Sequence, residues 1–232
     1  MAALALAGLV GAAASCGGST DGAAAGEPRP TATAPVTASD RTVVAPPATD
    51  PSPVPVTVAV VGDSITEWGQ GALRDDLGGD WDLSIDGRAG FRVAEQLPAA
   101  AELAAADPGQ VVVNLGTNDV LQGRSPASAV EDLARMVELF PGARCIHLVT
   151  VNERMVAGRG DLTTPARAVN DGIRRLADDD ERITVVDWAA TIDADASGGG
   201  RDPLVYDTVH PTERGDHVLA GLYADALAAC RG

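Results

Sequence analysis

The feature that most restricts the fold is the alternation of strand-like and helix-like segments that begins after Pro55. Apolar runs typical of β-strands occur at residues 56–61, 81–85, 111–115, 145–151 and 183–186. Segments with apolar residues at helical spacing occur at residues 66–77, 93–106, 127–139, 165–177 and 212–229. Strands that alternate with helices pair in parallel, and the helices cover both faces of the sheet. We therefore predict an α/β fold, a three-layer α/β/α sandwich around a parallel five-stranded sheet.

The segment before this pattern has a different composition. Residues 17–55 are mainly Ala, Gly, Thr, Pro, Ser and Asp, with few large apolar side chains. Such a segment buries too little apolar surface to offset the entropy lost on ordering. We predict a disordered stalk at residues 17–55 and one folded domain at residues 56–232.

The first sixteen residues resemble an export signal. An apolar run at residues 1–15 ends in small residues directly before Cys16 and is too short for a good transmembrane span. Ala13, Ala14, Ser15 and Cys16 resemble a bacterial lipobox, in which the cysteine becomes the lipidated first residue of the mature protein. We expect an extracytoplasmic protein that is lipid-anchored to the cell membrane at Cys16; a plain secreted form and an uncleaved anchor are the alternatives.

The charge balance excludes one class of partner. There are 17 basic residues against 33 acidic ones, which gives a net charge of −16. A strongly acidic protein is repelled by nucleic acid and by anionic membrane surfaces. We therefore expect no nucleic-acid partner, membrane contact only through the N-terminal lipid, and a monomer.

Two cysteines remain once Cys16 is assigned to lipid. Cys145 lies in the fourth predicted strand and Cys230 lies near the end of the last predicted helix. In an oxidising compartment these residues can form a disulfide. Two buried free thiols are the alternative.

Polar residues follow the predicted strands, and in parallel α/β sheets binding sites form at the carboxyl ends of strands. A serine hydroxyl is a poor nucleophile unless a base accepts its proton and a third group orients that base. Ser64 follows the first strand. His210 is the best candidate base, because His147 lies inside the fourth predicted strand and His217 inside the last predicted helix. Asp207, three residues before His210, can orient the imidazole.

Three groups can supply hydrogen bonds to the oxygen that becomes negatively charged during acyl transfer, each contributing about 3 kcal/mol. They are the backbone N–H of Ser64 at a helix start, the backbone N–H of Gly90 and the side-chain amide of Asn118. The candidate catalytic residues also have non-catalytic interpretations. Ser64 can be a helix N-cap, Asp207 and His210 can form a loop salt bridge, and Asn118 can be a turn former.

Four sequence blocks together resemble the SGNH/GDSL hydrolase family. They are V-V-G-D-S-I-T around Ser64, G-R-A-G ending at Gly90, N-L-G-T-N-D around Asn118 and D-T-V-H-P-T around Asp207 and His210. The resemblance implies a flavodoxin-like domain over residues 56–232 that cleaves or transfers acyl esters without a metal or an organic cofactor. It assigns Ser64, His210 and Asp207 as catalytic triad, and Ser64, Gly90 and Asn118 as oxyanion hole; Gly87 competes with Gly90.

The V-D-W sequence at residues 186–188 and the D-T-V-H-P-T block are most similar to bacterial cell-envelope members of that family, including peptidoglycan O-acetyltransferase-like domains. We expect a serine ester hydrolase that cleaves short acyl esters through an acyl-enzyme. The alternatives are an O-acyltransferase or deacetylase acting on cell-envelope glycans, and a non-catalytic surface binding module.

Several other polar and aromatic residues receive structural interpretations. Asp63 and Asp119 are expected to be hydrogen-bond acceptors around the site. Residues 193–198 begin like a calcium loop, but the twelfth position is Leu204 where a glutamate is needed, so we predict a glycine-rich surface loop. The tryptophans are expected to pack in the core, and a substrate-lining surface is the alternative. They are Trp68, Trp81 and Trp188.

Overall fold

The computed structural model describes residues 56–158, 160–199 and 203–230. Three of the sequence predictions fall outside the described residues. They are the signal segment at residues 1–16, its lipid attachment at Cys16 and the stalk at residues 17–55.

The predicted parallel sheet is confirmed. Its strands are β1 (Val56–Gly62), β2 (Trp81–Gly87), β3 (Gln110–Asn114), β4 (Cys145–Val149) and β7 (Ile183–Val186), and every neighbouring pair is parallel. The spatial order is β2-β1-β3-β4-β7. This order is the flavodoxin-like one, and it places the ends of β1 and β3 side by side.

Helices cover both faces of the sheet, as predicted for a three-layer sandwich. They are α1 (Ser64–Leu77), α2 (Val93–Ala104), α3 (Thr117–Leu121), α4 (Pro126–Glu138), α5 (Thr163–Asp179), α6 (Trp188–Ser197) and α7 (Glu213–Ala229). Two apolar cores result: one joins the sheet to α1, α6 and α7, and the other joins it to α2, α4 and α5. Alternate residues of β1 serve the two cores, because successive side chains of a strand point to opposite faces. Val60 belongs to the first and Val61 to the second.

Four elements were absent from the sequence prediction. Two are the helices α3 and α6, and two are the short strands β5 (Val156–Ala157) and β6 (Gly160–Asp161), which pair antiparallel. The prediction of a glycine-rich loop at residues 193–198 is wrong, because α6 continues to Ser197. The Asp187 side chain caps this helix by accepting from the Ala190 N–H, which explains why it begins where it does.

A disulfide joins Cys145 at the start of β4 to Cys230 directly after α7, with Cα atoms 6.3 Å apart. It ties the end of the last helix to the central sheet. Two of the three tryptophans pack in the core as predicted, Trp81 and Trp188. No helix in the described ranges has the length and apolar character needed to cross a bilayer.

Candidate active site

Ser64 lies where β1 turns directly into α1. Asp63 precedes it as N-cap, and its Oδ1 accepts from the Ile65 N–H at 3.0 Å. As the first residue of the helix, Ser64 has a backbone N–H without an intrahelical acceptor, at the positive end of the helix dipole. Ser64 is only 6% exposed, so it is buried at the carboxyl end of β1.

The structure brings His210 to Ser64 from 146 positions away along the chain. The Ser64 Oγ and His210 Nε2 atoms are 2.9 Å apart, a hydrogen-bond distance. On the other side of the ring, Nδ1 lies 2.7 Å from Asp207 Oδ2. Hydroxyl, imidazole and carboxylate are therefore in contact in the order that nucleophilic acyl transfer requires.

The loop that carries Asp207 and His210 is held by its own hydrogen bonds. Asp207 Oδ1 accepts from the N–H groups of Val209 at 3.0 Å and His210 at 2.7 Å. Partial burial acts to raise the pKa of the Asp207 carboxyl. The hydrogen bonds from His210 and Val209 outweigh burial and hold that pKa below its ordinary value. The carboxylate is therefore charged at neutral pH and can stabilise an imidazolium.

The same loop is supported from the end of β4. Thr208 has a positive φ of 67°, an uncommon backbone conformation for a β-branched residue. Its carbonyl accepts from Asn152 Nδ2 at 2.7 Å, and its Oγ1 accepts from the Val156 N–H at 3.0 Å. Asn152 and Val156 thus hold the turn that presents His210, a role that the sequence analysis missed.

Asn118 lies in α3 beside Asp63. Its Nδ2 donates to Asp63 Oδ2 at 3.3 Å, which leaves the second N–H of the amide for another acceptor. Burial raises the pKa of Asp63 to about 7, against the lowering effect of the Ile65 and Asn118 hydrogen bonds. Asp119 accepts from the Val93 N–H at 3.0 Å. Both aspartates are thus hydrogen-bond acceptors around the site, as expected.

The loop after β2 carries the glycine block. Gly90 has a positive φ of 79°, a region that glycine enters without a steric penalty. Glu67 of α1 fixes the loop, because its Oε2 accepts from the Ala89 N–H at 2.6 Å. Gly87 lies inside β2, where an added Cβ would overlap the Glu67 backbone. Close packing against α1 therefore explains why position 87 is a glycine. Gly90 is the glycine of the block that lies on the loop.

Gln96 is another residue that the sequence analysis missed. It is fully buried on α2, and its Nε2 donates to the Gly62 carbonyl at 2.6 Å and to Asp86 Oδ1 at 3.1 Å. These bonds tie the carboxyl end of β1 to that of β2, directly before Ser64. A lone glutamine on the buried face of an apolar helix was the available signal.

Two exposed aromatic rings flank His210. The Trp68 ring centroid lies 4.3 Å from the imidazole centroid, and that of Tyr206 lies 5.9 Å from it. Trp68 is 56% exposed, so the expectation that it packs in the core is wrong. In the described part of the chain, three large apolar side chains are exposed, and all adjoin the 206–210 loop. They are Trp68, Val156 and Tyr206.

Within the described ranges, no group of three or more His, Cys, Asp or Glu side chains is placed to hold a metal ion. At this edge of the sheet, Ser64, His210 and Asp207 are in contact and supply a nucleophile, a base and a carboxylate that orients the base. A flavodoxin-like sandwich with these groups in contact at its strand ends defines the class of serine esterases that act by acyl transfer.

The chain belongs to the GDSL-like lipase/acylhydrolase family, whose model matches residues 60–218. The matched range includes all four sequence blocks, from the strand before Ser64 to the helix after His210. A comparison with curated protein sequences gave no significant match.

Solved structures of similar proteins share the fold. A member of the lipolytic G-D-S-L family from Veillonella parvula is 22% identical, with a TM-score of 0.62 over 75% of this chain and 98% of that one. The catalytic domain of peptidoglycan O-acetyltransferase A from Streptococcus pneumoniae is 19% identical, with a TM-score of 0.58 over 77% and 96%. An acetyl-xylooligosaccharide esterase from Geobacillus stearmophilus is 18% identical, with a TM-score of 0.60 over 73% and 93%.

Proposed function

We propose that this protein hydrolyses short acyl esters through a covalent acyl-enzyme on Ser64. The observation that carries the proposal is the unbroken chain of contacts from Ser64 Oγ to His210 Nε2 and from His210 Nδ1 to Asp207 Oδ2. This geometry supports general-base activation of the serine, because each proton-transfer partner is already within hydrogen-bond distance.

In the first half of the reaction, Ser64 Oγ attacks the ester carbonyl carbon while its proton moves to His210 Nε2. The carbonyl oxygen becomes negatively charged and accepts from the Ser64 and Gly90 N–H groups and from the Asn118 amide. The bond from the carbonyl carbon to the alcohol oxygen then breaks, and the imidazolium returns its proton to that oxygen. Asp207 stabilises the imidazolium between these two transfers.

In the second half, a water molecule replaces the alcohol. His210 accepts a proton from the water as the water oxygen attacks the acyl carbon, and the same donors hold the new oxyanion. When the bond to Ser64 Oγ breaks, the imidazolium protonates that oxygen, which releases the carboxylic acid and restores the starting site.

A short acyl group is favoured by the small amount of exposed apolar surface. A long chain gains about 0.8 kcal/mol for each methylene that it buries, and it needs an extended apolar wall to do so. The exposed apolar side chains that adjoin the site lie beside His210, which protonates the leaving alcohol. They are therefore placed to contact the alcohol half of the ester.

Hydrolysis of 4-nitrophenyl acetate by the purified domain tests the proposal. We expect turnover with a burst of one 4-nitrophenol per enzyme, and labelling of Ser64 by a fluorophosphonate probe. Ser64→Ala is expected to lose labelling and to lower kcat by about 10⁴-fold or more. Equal rates for the two proteins, or labelling elsewhere, would contradict the assignment; the non-catalytic binding module predicts neither turnover nor labelling.

Transfer to a sugar hydroxyl is a second candidate function of the same residues. The observation that favours it is the exposed pair Trp68 and Tyr206, because aromatic faces beside an acyl-enzyme can hold a sugar near the acyl carbon. An acylated sugar product exceeding the free acid at millimolar glycan would support transfer, and free acid alone would support hydrolysis.

We also propose that the domain works outside the cytoplasm. The disulfide between Cys145 and Cys230 supports this location, because such bonds persist in oxidising compartments. Lipid attachment at Cys16 is tested by detergent-phase partitioning of the full chain beside Cys16→Ala. Equal partitioning of the two would exclude the lipid anchor.

A further inference from the structure

A cavity of about 490 Å³ lies next to the loop that carries His210, and the mechanism above does not use it. It is bounded by the end of β4, the β5–β6 hairpin, α5 and the start of α6. Val156 lines the cavity and also contacts the loop that carries His210. Its N–H and carbonyl both bond to Thr208 Oγ1, at 3.0 and 3.3 Å. The volume is within the range of small-molecule sites, about 300–1,000 Å³.

The lining consists largely of paired charges. Three arginines each lie against a carboxylate: Arg154 Nη1 is 2.6 Å from Asp193 Oδ1, Arg167 Nε is 2.8 Å from Glu153 Oε2, and Arg174 Nη2 is 3.3 Å from Asp187 Oδ2. With Asp161 the lining carries four acidic and three basic groups, a balance of −1. An anion would have to compete with these carboxylates for the guanidinium groups.

The other ligand classes fit less well than a polyol. Among the described residues no group of three or more His, Cys, Asp or Glu side chains is placed to hold a metal ion, and the seven charged residues in the lining disfavour an apolar ligand. A neutral polyhydroxylated ligand matches alternating donors and acceptors, because each hydroxyl both donates and accepts. Guanidinium groups donate only, and carboxylates accept only.

The acceptors are held in place before any ligand arrives. Glu153 Oε1 accepts from Asn170 Nδ2 at 3.0 Å. Asn170 is fully buried, and its Oδ1 accepts from the Val151 N–H at 2.7 Å. Asp187 Oδ1 accepts from Thr150 Oγ1 and from the Ala190 N–H, both at 3.1 Å. Side chains that are fixed beforehand lose less conformational entropy on binding.

We propose that this cavity binds a sugar unit of a neutral oligosaccharide, and that an acyl group on that oligosaccharide is presented to Ser64. The inference rests on the proposed esterase activity and identifies the alcohol half of the ester as a glycan. Trp68 and Tyr206 beside His210 add exposed aromatic surface on which a sugar ring can pack. Val156 connects the cavity to the loop that carries His210, because it lines the cavity and bonds to Thr208.

Binding is measured without turnover in the full-length Ser64→Ala protein, by calorimetric titration with unsubstituted cellotetraose, xylotetraose and chitotetraose. We expect at least one tetraose to bind. In the same background, Arg167→Ala should raise its Kd about tenfold, the effect of losing one charge-assisted hydrogen bond. Ala190→Trp fills the cavity without removing a charge and should raise the Kd at least as much.

Arg175→Ala is the matched control, because Arg175 is exposed on the same helix as Arg167 and does not line the cavity. Its Kd should stay within twofold, and unchanged thermal unfolding should verify that each variant is folded. No binding of any tetraose, or a Kd in both the Arg167→Ala and the Ala190→Trp proteins that equals the Kd of the Ser64→Ala parent, would overturn the inference. Tetraose binding without ester hydrolysis would count against the proposed function alone, and hydrolysis without tetraose binding against the cavity alone.

Discussion

Two imidazoles in this molecule contact a hydroxyl on one side and a side-chain oxygen on the other. His210 lies between Ser64 Oγ and Asp207 Oδ2, and His147 lies between Thr184 Oγ1 and Gln110 Oε1. The first set is at the carboxyl end of the sheet. The second joins three neighbouring strands, from β3 through β4 to the edge strand β7.

The two sets differ in charge and in access. Asp207 carries a charge that can stabilise an imidazolium, whereas Gln110 is neutral and also donates to the Leu227 carbonyl at 3.3 Å. His147 is fully buried, and burial lowers its pKa to about 4. Thr184 lies inside β7, whereas Ser64 is the first residue of α1. The same kinds of side chain therefore join strands in one place and are suited to catalysis in the other.

Removing each imidazole should separate the two sets most clearly. His210→Ala is expected to lower kcat/KM for 4-nitrophenyl acetate by about 10⁴-fold, because the serine loses its base. His147→Gln should leave kcat/KM at pH 7 within about threefold when measured well below the unfolding temperature. A similar loss in both variants would show that the two sets act together.

Exchanging the orienting groups should have the next largest effect on activity. Asp207→Asn is expected to lower kcat by about 10³-fold or more, because the ring loses the negative charge that stabilises its protonated form. Gln110→Glu, the opposite exchange in the buried set, should confer no fluorophosphonate labelling of Thr184 and should lower the unfolding temperature. Labelling of Thr184 would mean that a carboxylate alone makes this set reactive.

Acid should destabilise the protein through His147. Its folded-state pKa of about 4 is below the unfolded value of 6.5, so the unfolded chain binds more protons between these values. The contribution of neutral His147 to the free energy of unfolding is present above pH 6.5. It is lost as pH falls towards 4, by roughly 3 kcal/mol.

Urea unfolding of the wild type and His147→Gln at pH 7 and pH 4 measures this difference. The variant should be less stable at pH 7, and its further loss at pH 4 should be smaller. His217 is the control histidine. Its hydrogen bond with Asp76 raises its pKa, so its contribution to the free energy of unfolding is lost as pH rises, the opposite of His147. Parallel losses in wild type and His147→Gln would refute the assignment.

The aromatic rings beside His210 should make the smallest contribution. An aromatic face packed on an imidazolium contributes about 0.5–1 kcal/mol at an exposed site. Trp68→Ala is therefore expected to slow acylation about threefold to fivefold in a stopped-flow burst measurement, and Trp68→Phe to restore most of the rate. An unchanged burst rate in Trp68→Ala would limit Trp68 to contacts with the substrate.

The sheet and the three residues in contact could be predicted because their signals are strong. Long strand and helix patterns predict the three layers of the fold. Binding and catalytic residues of such folds lie at the carboxyl ends of the strands. The elements that were missed have weak signals: α3 has five residues and β5 and β6 have two each, too short for any periodicity. In α6, an Ala-Asp-Ala-Ser sequence before glycines resembles a loop, and the start of the helix is marked by the single N-cap residue Asp187.

The sequence contains a signal for the exposed position of Trp68. The apolar stripe of α1 that packs against the sheet comprises Ile65, Leu73 and Leu77, and at 3.6 residues per turn Trp68 lies on a different side of the helix. Contacts between distant segments had no such signal. The Asn152 bond to the Thr208 carbonyl and the cavity beside Val156 depend on how the hairpin and the 206–210 loop pack, which no local pattern encodes.

The 146 positions between Ser64 and His210 have a consequence for biosynthesis. A nascent polypeptide that has emerged from the ribosome through α1 contains the serine but still lacks its base. Hydrolytic competence can arise only after α7 packs against α1 and brings the preceding loop with it. Chains that end before residue 210 therefore lack the catalytic base and cannot attack cellular esters, without any separate inhibitor.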